Sequence, residues 1–199
     1  MLGILKSPGS MGFDIVVAEG QSMGSSLSFG GPTVGWFATR KELARLVPGR
    51  IIGESRDSNN TKTYVMTLRA REQDIRREKA SSNICTNQTL NAVGSTIHLS
   101  WLGPEGLYEI GYQAIQKASY MKQLLLDNNF NVLNHTSSLR EFLVETKRPA
   151  EEVILDMGPK GFLAGIKYDE NQILVAVTEK RTKTQIDNYV DSLVEVNNA

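Results

Sequence analysis

A mixed α/β chain ending in a small α+β unit of sheet and helices is predicted by three observations. Short alternating apolar elements follow residue 129, two long helical stretches run consecutively before it, and a strand, a glycine-rich loop and a second strand open the chain.

Taken in order, residues 13–18 (FDIVVA) form a short apolar run of strand length, and Val34-Gly35-Trp36-Phe37-Ala38 forms a second. Between them lies 19-EGQSMGSSLSFGGPTVG-35, where Gly20, Gly24, Gly30, Gly31 and Gly35 alternate with serines. Val47-Pro48-Gly49-Arg50 is a turn signal, and Asp57-Ser58-Asn59-Asn60 is another, the expected hairpin tip before a strand over Thr63–Leu68. Residues 70–79 carry alternating charges with helical character. Leu90, Val93, Ile97 and Trp101 then recur at spacings of three and four, which marks one face of a helix. Gly103-Pro104 breaks that helix and starts the next, because proline is tolerated in a first helical turn. The second helix should bury Leu107, Ile110, Ala114, Ala118, Met121 and Leu125, and it fades at Asp127-Asn128-Asn129. Beyond it, strands are expected near Phe130–Leu133, Glu141–Glu145, Phe162–Tyr168 and Ile173–Val177, with a short helix near Pro149–Met157. A last helix should start at Thr182, where Thr182 and Gln185 have capping-box spacing and Ile186, Tyr189, Val190 and Leu193 supply the apolar face.

The totals narrow the function. At 199 residues the chain forms one medium domain or two small ones, and 40% hydrophobic with 22% charged residues is the composition of a folded globular protein. Lys plus Arg equals Asp plus Glu, 22 each, so no net field draws the chain to nucleic acid or to an anionic membrane. The one cysteine, Cys85, has no internal partner, and His98 and His135 give no zinc-ligand spacing; a reducing, cytoplasmic setting fits, and no metal site is expected. No apolar run approaches a membrane span.

Three stretches are candidates for chemistry. Main-chain N–H groups of the glycine–serine loop can converge on phosphate oxygens, but the loop has no GxGxxG and no Lys-Ser/Thr pair, and taken alone it reads first as a structural turn and second as a ligand bed. The run 69-RAREQDIRREKASSNICTNQ-88 is either a solvated helix with pairs such as Glu72–Arg76 or a polar segment entering an interface or site. Cys85 reads as a buried inert thiol and His98 as a packed, hydrogen-bonded histidine. His135 falls in a turn.

The words DIVVAEGQSMGSSLSFGGPTVGWFATR, LVPGRIIGESRD, TLRAREQDIRREKASSNICTNQTLNA and ILVAVTEKRTKTQID closely resemble subunit 1 of the two-chain glycine dehydrogenase (decarboxylating), the P-protein family of the glycine cleavage system. The likeness extends over nearly the whole chain. It implies fold type I of the pyridoxal-phosphate-dependent transferases, an aminotransferase-like α/β architecture. Residues 1–102 would be a remnant of the large domain with the linking helices, and residues 103–199 the small C-terminal α+β domain. The family's subunit has a large N-terminal portion, so the chain is expected to be about the C-terminal half of its parent, with unpaired edges or exposed apolar surface within residues 1–70.

The resemblance also speaks to the loop. In the sister subunit the corresponding lysine holds pyridoxal phosphate as a Schiff base; aligning the Gly-Gly-Pro ends places Ser22 at that position, and a hydroxyl cannot condense with the aldehyde. No catalytic residue is therefore expected here. The implied contribution is made in trans, with the backbone at Gly30 and Gly31, and Ser28, contacting the phosphate of the sister subunit's cofactor. The implied partners are glycine dehydrogenase subunit 2, in a heterotetramer, and through the complete enzyme the lipoyl arm of the H-protein. That enzyme decarboxylates glycine and transfers its aminomethyl group, with this chain as scaffold and subunit interface. The rival is a stand-alone, non-catalytic binding or assembly module; an aminotransferase in its own right is disfavoured by Ser22.

Overall fold

The computed structural model describes residues 3–68, 76–80, 82, 87–134 and 138–199. The chain divides at Gly103 into two compact units: Lys6–Leu102, and Gly103–Ala199 together with the first residues through Leu5. The long helix α1 (Thr89–Asp127) runs through this division, but Gly103 is not helical, with φ 64 and ψ −177. That backbone region is open essentially to glycine alone, and Pro104 bars the preceding residue from the α region, so the break predicted at Gly103-Pro104 is present.

Lys6–Leu102 contains two separate two-stranded antiparallel sheets. Strand β1 (Ile15–Glu19) pairs with β2 (Gly35–Thr39), Glu19 opposite Gly35 and Ile15 opposite Thr39, so the glycine–serine loop is the link of this pair. Strand β3 (Ile51–Arg56) pairs with β4 (Lys62–Thr67). The predicted tip at Asp57–Asn60 is there: Asp57 Oδ1 accepts from the N–H groups of Asn59 and Thr61, and Asn60 adopts φ 62, which asparagine tolerates. The edges and exposed apolar surface expected in this region are observed. Phe13, Ile15, Val17, Phe37, Ile52 and Met66 are all exposed, and among the described residues each strand has one neighbour only. Of the helical stretch expected over 70–79, Arg77–Lys79 is a single 3-10 turn and residues 70–75 lie outside the described set.

Gly103–Ala199 has a core. Its sheet has the order β5-β6-β8-β7, where β5 is Val132–Leu133, β6 Glu141–Glu145, β7 Ile166–Asp169 and β8 Gln172–Ala176, all neighbours antiparallel. Alternation sends Phe142 and Val144 of β6 and Ile173 and Val175 of β8 to one face. That face packs in one cluster with Ala118, Met121 and Leu125 of α1, Val153 and Met157 of helix α2 (Ala150–Met157), and Ile186, Val190 and Leu193 of helix α3 (Lys183–Asn198). Of the stripe predicted on the second helix, Ala114 onward is buried, whereas Leu107 and Ile110 are half-buried. Strand β7 starts later than expected. Residues 162–165 are not strand, and Gly165, at φ 146, approaches β8 so closely that a Cβ would lie 2.5 Å from the Leu174 carbonyl oxygen.

Polar groups fix the helices of this unit. Thr182 Oγ1 accepts the Gln185 N–H at 3.2 Å while the Gln185 side chain accepts the Thr182 N–H at 3.0 Å, the reciprocal cap expected from the sequence. Tyr120 of α1 donates to Asp187 of α3 at 2.6 Å, and Lys183 closes the group at 2.7 Å from the other carboxylate oxygen. Tyr189 donates to the Ala164 carbonyl at 2.6 Å inside the core, and burial pushes its phenol well above the usual range. Lys122, almost wholly buried, donates to the Ser138 carbonyl at 2.9 Å and lies over the Phe142 ring; desolvation lowers its pKa.

Candidate functional site

The glycine–serine loop is built from both of its ends. Glu19, the last residue of β1, turns its carboxylate back over the loop, where one oxygen accepts from the N–H of Gln21 at 2.8 Å and from the N–H of Val34 at 3.2 Å. Gln21 Nε2 then reaches across to the carbonyls of Ser26 at 3.4 Å and Pro32 at 3.2 Å. The base closes through the Gly20 N–H to the Val34 carbonyl at 2.7 Å, and Asn91 of α1 donates to the Thr33 carbonyl at 2.8 Å.

Two glycines allow this closure sterically. A Cβ on Gly20 would fall 2.3 Å from Trp36 Nε1, and one on Gly24, which has φ +101, would fall 2.8 Å from the Cβ of His98. The α1 residues near the loop are thus Asn91, Gly94 and His98, and Ser95 shares their face at helical spacing. Ser95 is 3% exposed, and its hydroxyl has no hydrogen-bond partner among the described residues. His98 is packed, as expected, but the hydrogen bond expected of it is not found among the described residues.

The tip is Leu27–Pro32. Ser28, Phe29 and Gly30 have φ of 38, 55 and 116, and the Gly31-Pro32 peptide is cis. Both glycine N–H groups are occupied: Gly30 and Gly31 donate to the Leu27 carbonyl at 3.0 and 3.2 Å. The Ser28 hydroxyl lies 2.5 Å from that of Ser26. The N–H groups of Leu27, Ser28 and Phe29 make no hydrogen bond among the described residues, and the last two are adjacent donors at the turn itself. Phe29 is 111% exposed and sits in the left-handed region, an uncommon combination for a bulky side chain. Ser22, at the start of the loop, is exposed. None of these donors was legible in the composition, because which N–H groups are consumed depends on the signs of three consecutive φ angles.

Elsewhere the described residues offer little chemistry. They contain no cluster of His, Cys, Asp and Glu able to hold a metal ion. An apolar hollow of about 120 Å³ beside β1 and β2, lined by Ile15, Phe37, Leu43 and Leu46 among others, has no titratable side chain in its wall. Cys85 and His135 lie outside the described residues, as does most of the run Arg69–Thr86. The loop is therefore the candidate site.

Comparison with known proteins agrees with the sequence words. The model of the family "Glycine cleavage system P-protein" matches residues 1–193. A relative from Staphylococcus haemolyticus named "Probable glycine dehydrogenase (decarboxylating) subunit 1" is 46% identical, covering 98% of this chain and 45% of its own length. One of the same name from Chlorobium luteolum is 45% identical, with the same coverage of 98% and 45%. Among solved structures, a glycine decarboxylase (P-protein) of the glycine cleavage system in inhibitor-bound form superposes with a TM-score of 0.90 at 37% identity, covering 98% of this chain and 46% of that one. A Lactobacillus brevis glutamate decarboxylase superposes at 0.56 with 14% identity, over 92% of this chain and 40% of that one, a likeness of fold alone. The chain thus spans about half the length of the curated relatives it matches. With the loop words, the break at Gly103 and the small C-terminal sheet all falling within one superposition, the chain belongs to the P-protein family of the glycine cleavage system.

Proposed function

We propose that this chain is the portion of the non-lysine subunit of glycine decarboxylase that carries the glycine–serine loop, and that it serves a pyridoxal-phosphate centre whose covalent anchor is on a sister subunit. The observation that carries this reading is Ser22. Nothing between Glu19 and Gly35 offers an amine, and a hydroxyl at the loop's start cannot take an amine's place. The residues present therefore do not fit covalent attachment of the cofactor. They do fit contact with an anionic oxygen, because Ser28 and Phe29 are exposed residues whose N–H groups are, among the described residues, unbonded at the tip.

When bound, pyridoxal phosphate supplies the electron sink that decarboxylation of an amino acid requires. This chain's own part would be to hold phosphate oxygens with the tip donors, to close one side of the site with Leu27 and Phe29, and to brace the whole on β1, β2 and α1. The proposed partners are the lysine-bearing subunit 2 and, through the complete enzyme, the lipoyl arm of the H-protein. The proposed setting is the cytoplasm; no helix among the described residues is long and apolar enough to cross a membrane. The heterotetramer, and the division of the chain into a large-domain remnant over 1–102 and a small domain over 103–199, are part of the same proposal.

Mixing the chain with the lysine-bearing subunit tests it. The expected result is co-elution, and glycine decarboxylation by the mixture only. Glycine turnover by this chain alone, or stoichiometric pyridoxal phosphate held by it without a companion, would overturn the reading.

A further inference from the structure

The loop contains a side chain that no chemistry of the cofactor calls for. Gln21 is only half-buried, yet its amide nitrogen is spent on two main-chain carbonyls, Ser26 on the outgoing limb of the loop and Pro32 on the returning one. Its own N–H is held by Glu19, whose carboxylate oxygen also receives the Val34 N–H. Between the two limbs hang Leu27 to Gly31, tied to one another by the turn on the Leu27 carbonyl. Glu19 joins the limbs at the base of the loop, and beyond it, among the described residues, Gln21 alone does so by a side chain: the Ser26 to Ser28 contact stays on one side, and Asn91 reaches only Thr33.

We propose that Gln21, oriented by Glu19, is the positioning residue of this loop. It sets the separation of the two limbs, and thereby presents the N–H groups of Ser28 and Phe29 together to one oxygen of a phosphate-class anion. The proposal rests on the reading of the tip as an anion cradle. The φ angles of Ser28 and Phe29, 38 and 55, are costly for residues with side chains, and such a conformation persists only where surrounding contacts over-determine it. The Gln21 amide supplies two of those contacts. Truncating it frees the limbs, and the two donors lose their common aim without any change in the C-terminal core.

The test uses the full chain and inorganic phosphate, followed at the amide resonances of Ser28 and Phe29. The parent chain is expected to show saturable shifts at both. Gln21→Ala is expected to weaken that binding at least fivefold and to speed amide exchange across residues 22–33, while resonances of Gly103–Ala199 stay in place. Gln21→Met, which keeps the length and stays uncharged but cannot donate, should reproduce the loss and guards against a folding defect in the alanine variant. Unshifted amides in the parent chain would reject the cradle reading and the proposal with it. Saturable shifts of equal affinity in the parent and both variants would leave the cradle standing and reject the role of Gln21.

Discussion

Helix α1 carries an apolar stripe on each side of Gly103, and the two stripes meet opposite fates. After the break, Ala118, Met121 and Leu125 are at most 3% exposed beneath the four-stranded sheet and α3. Before it, Leu90, Ile97 and Trp101 are 82, 65 and 84% exposed, and the side turned toward protein is the polar one, Asn91 and His98. The stretch of α1 before the break, Thr89 to Gly103, contains no Lys, Arg, Asp or Glu, the depletion of charge that protein interfaces share. Periodicity reports which residues share a face. What lies over that face is decided by neighbours, and among the described residues Lys6–Leu102 supplies two-stranded pairs where Gly103–Ala199 supplies a four-stranded sheet.

The comparison is broken most forcefully by one substitution made twice. Leu125→Ala opens a cavity in a closed core and should cost about 2–5 kcal/mol. The same change at Leu90 removes a side chain already in solvent and should stay within about 0.5 kcal/mol. Denaturant titration of both variants measures the two; equal losses would mean that the first stripe is covered in solution.

How far the sequence could be read follows the same line. Strand β6 came out at its observed bounds, Glu141–Glu145, because alternation there coincides with a real inside and outside. The cap at Thr182 was legible because it is local, two residues three apart satisfying each other. Strand β3 was missed. Gly53-Glu54-Ser55-Arg56 is too polar to read as strand, and it forms one through the Asp57 turn and its pairing with β4, where the side chain of Thr67 fills the space left by Gly53. The loop's extent was legible from its glycines but its hydrogen bonding was not: the N–H groups of Gly30 and Gly31 turn to the Leu27 carbonyl, and those of Ser28 and Phe29 have no partner among the described residues.

A second, smaller effect sharpens the boundary between the two regions. Gly103→Ala meets no wall, the nearest atom to a new Cβ being Glu105 Oε2 at 3.6 Å, so its cost is backbone strain alone, about 1–3 kcal/mol. Thermal unfolding should record that loss, because Pro104, with its own φ locked by the ring, cannot turn to relieve the strain. Next in size, Thr182→Ala should cost about 1 kcal/mol by freeing the N-terminus of α3, and Gln185→Ala made on that background should add little, since the two side chains serve one cap. The sign reverses at Ser95. Its buried hydroxyl is unpaired among the described residues, so Ser95→Ala removes an uncompensated polar atom and should raise stability, by up to about 1 kcal/mol. A loss there would reveal a partner for the hydroxyl.

The smallest effect distinguishes the regions by pH. Lys183, and after it Tyr120, hold the Asp187 carboxyl below its ordinary range by hydrogen bonding, while the same contact, with Asp187 first, raises the Lys183 ammonium above its own. A carboxylate with a lowered folded-state pKa contributes stability that is fully present above its unfolded pKa and is lost as pH falls through the lower, folded value. The ammonium's contribution is present below its unfolded pKa and is lost only as pH rises through the raised one, so neutral pH holds both. Both groups tie α3 to α1 after Gly103. Acidification from neutral pH should therefore loosen Gly103–Ala199, and Asp187→Asn should flatten that part of the stability profile while leaving the amide spectrum of Lys6–Leu102 unchanged. Stability profiles of parent and variant that run parallel through the acid range would show that the cluster is solvated and without effect on folding.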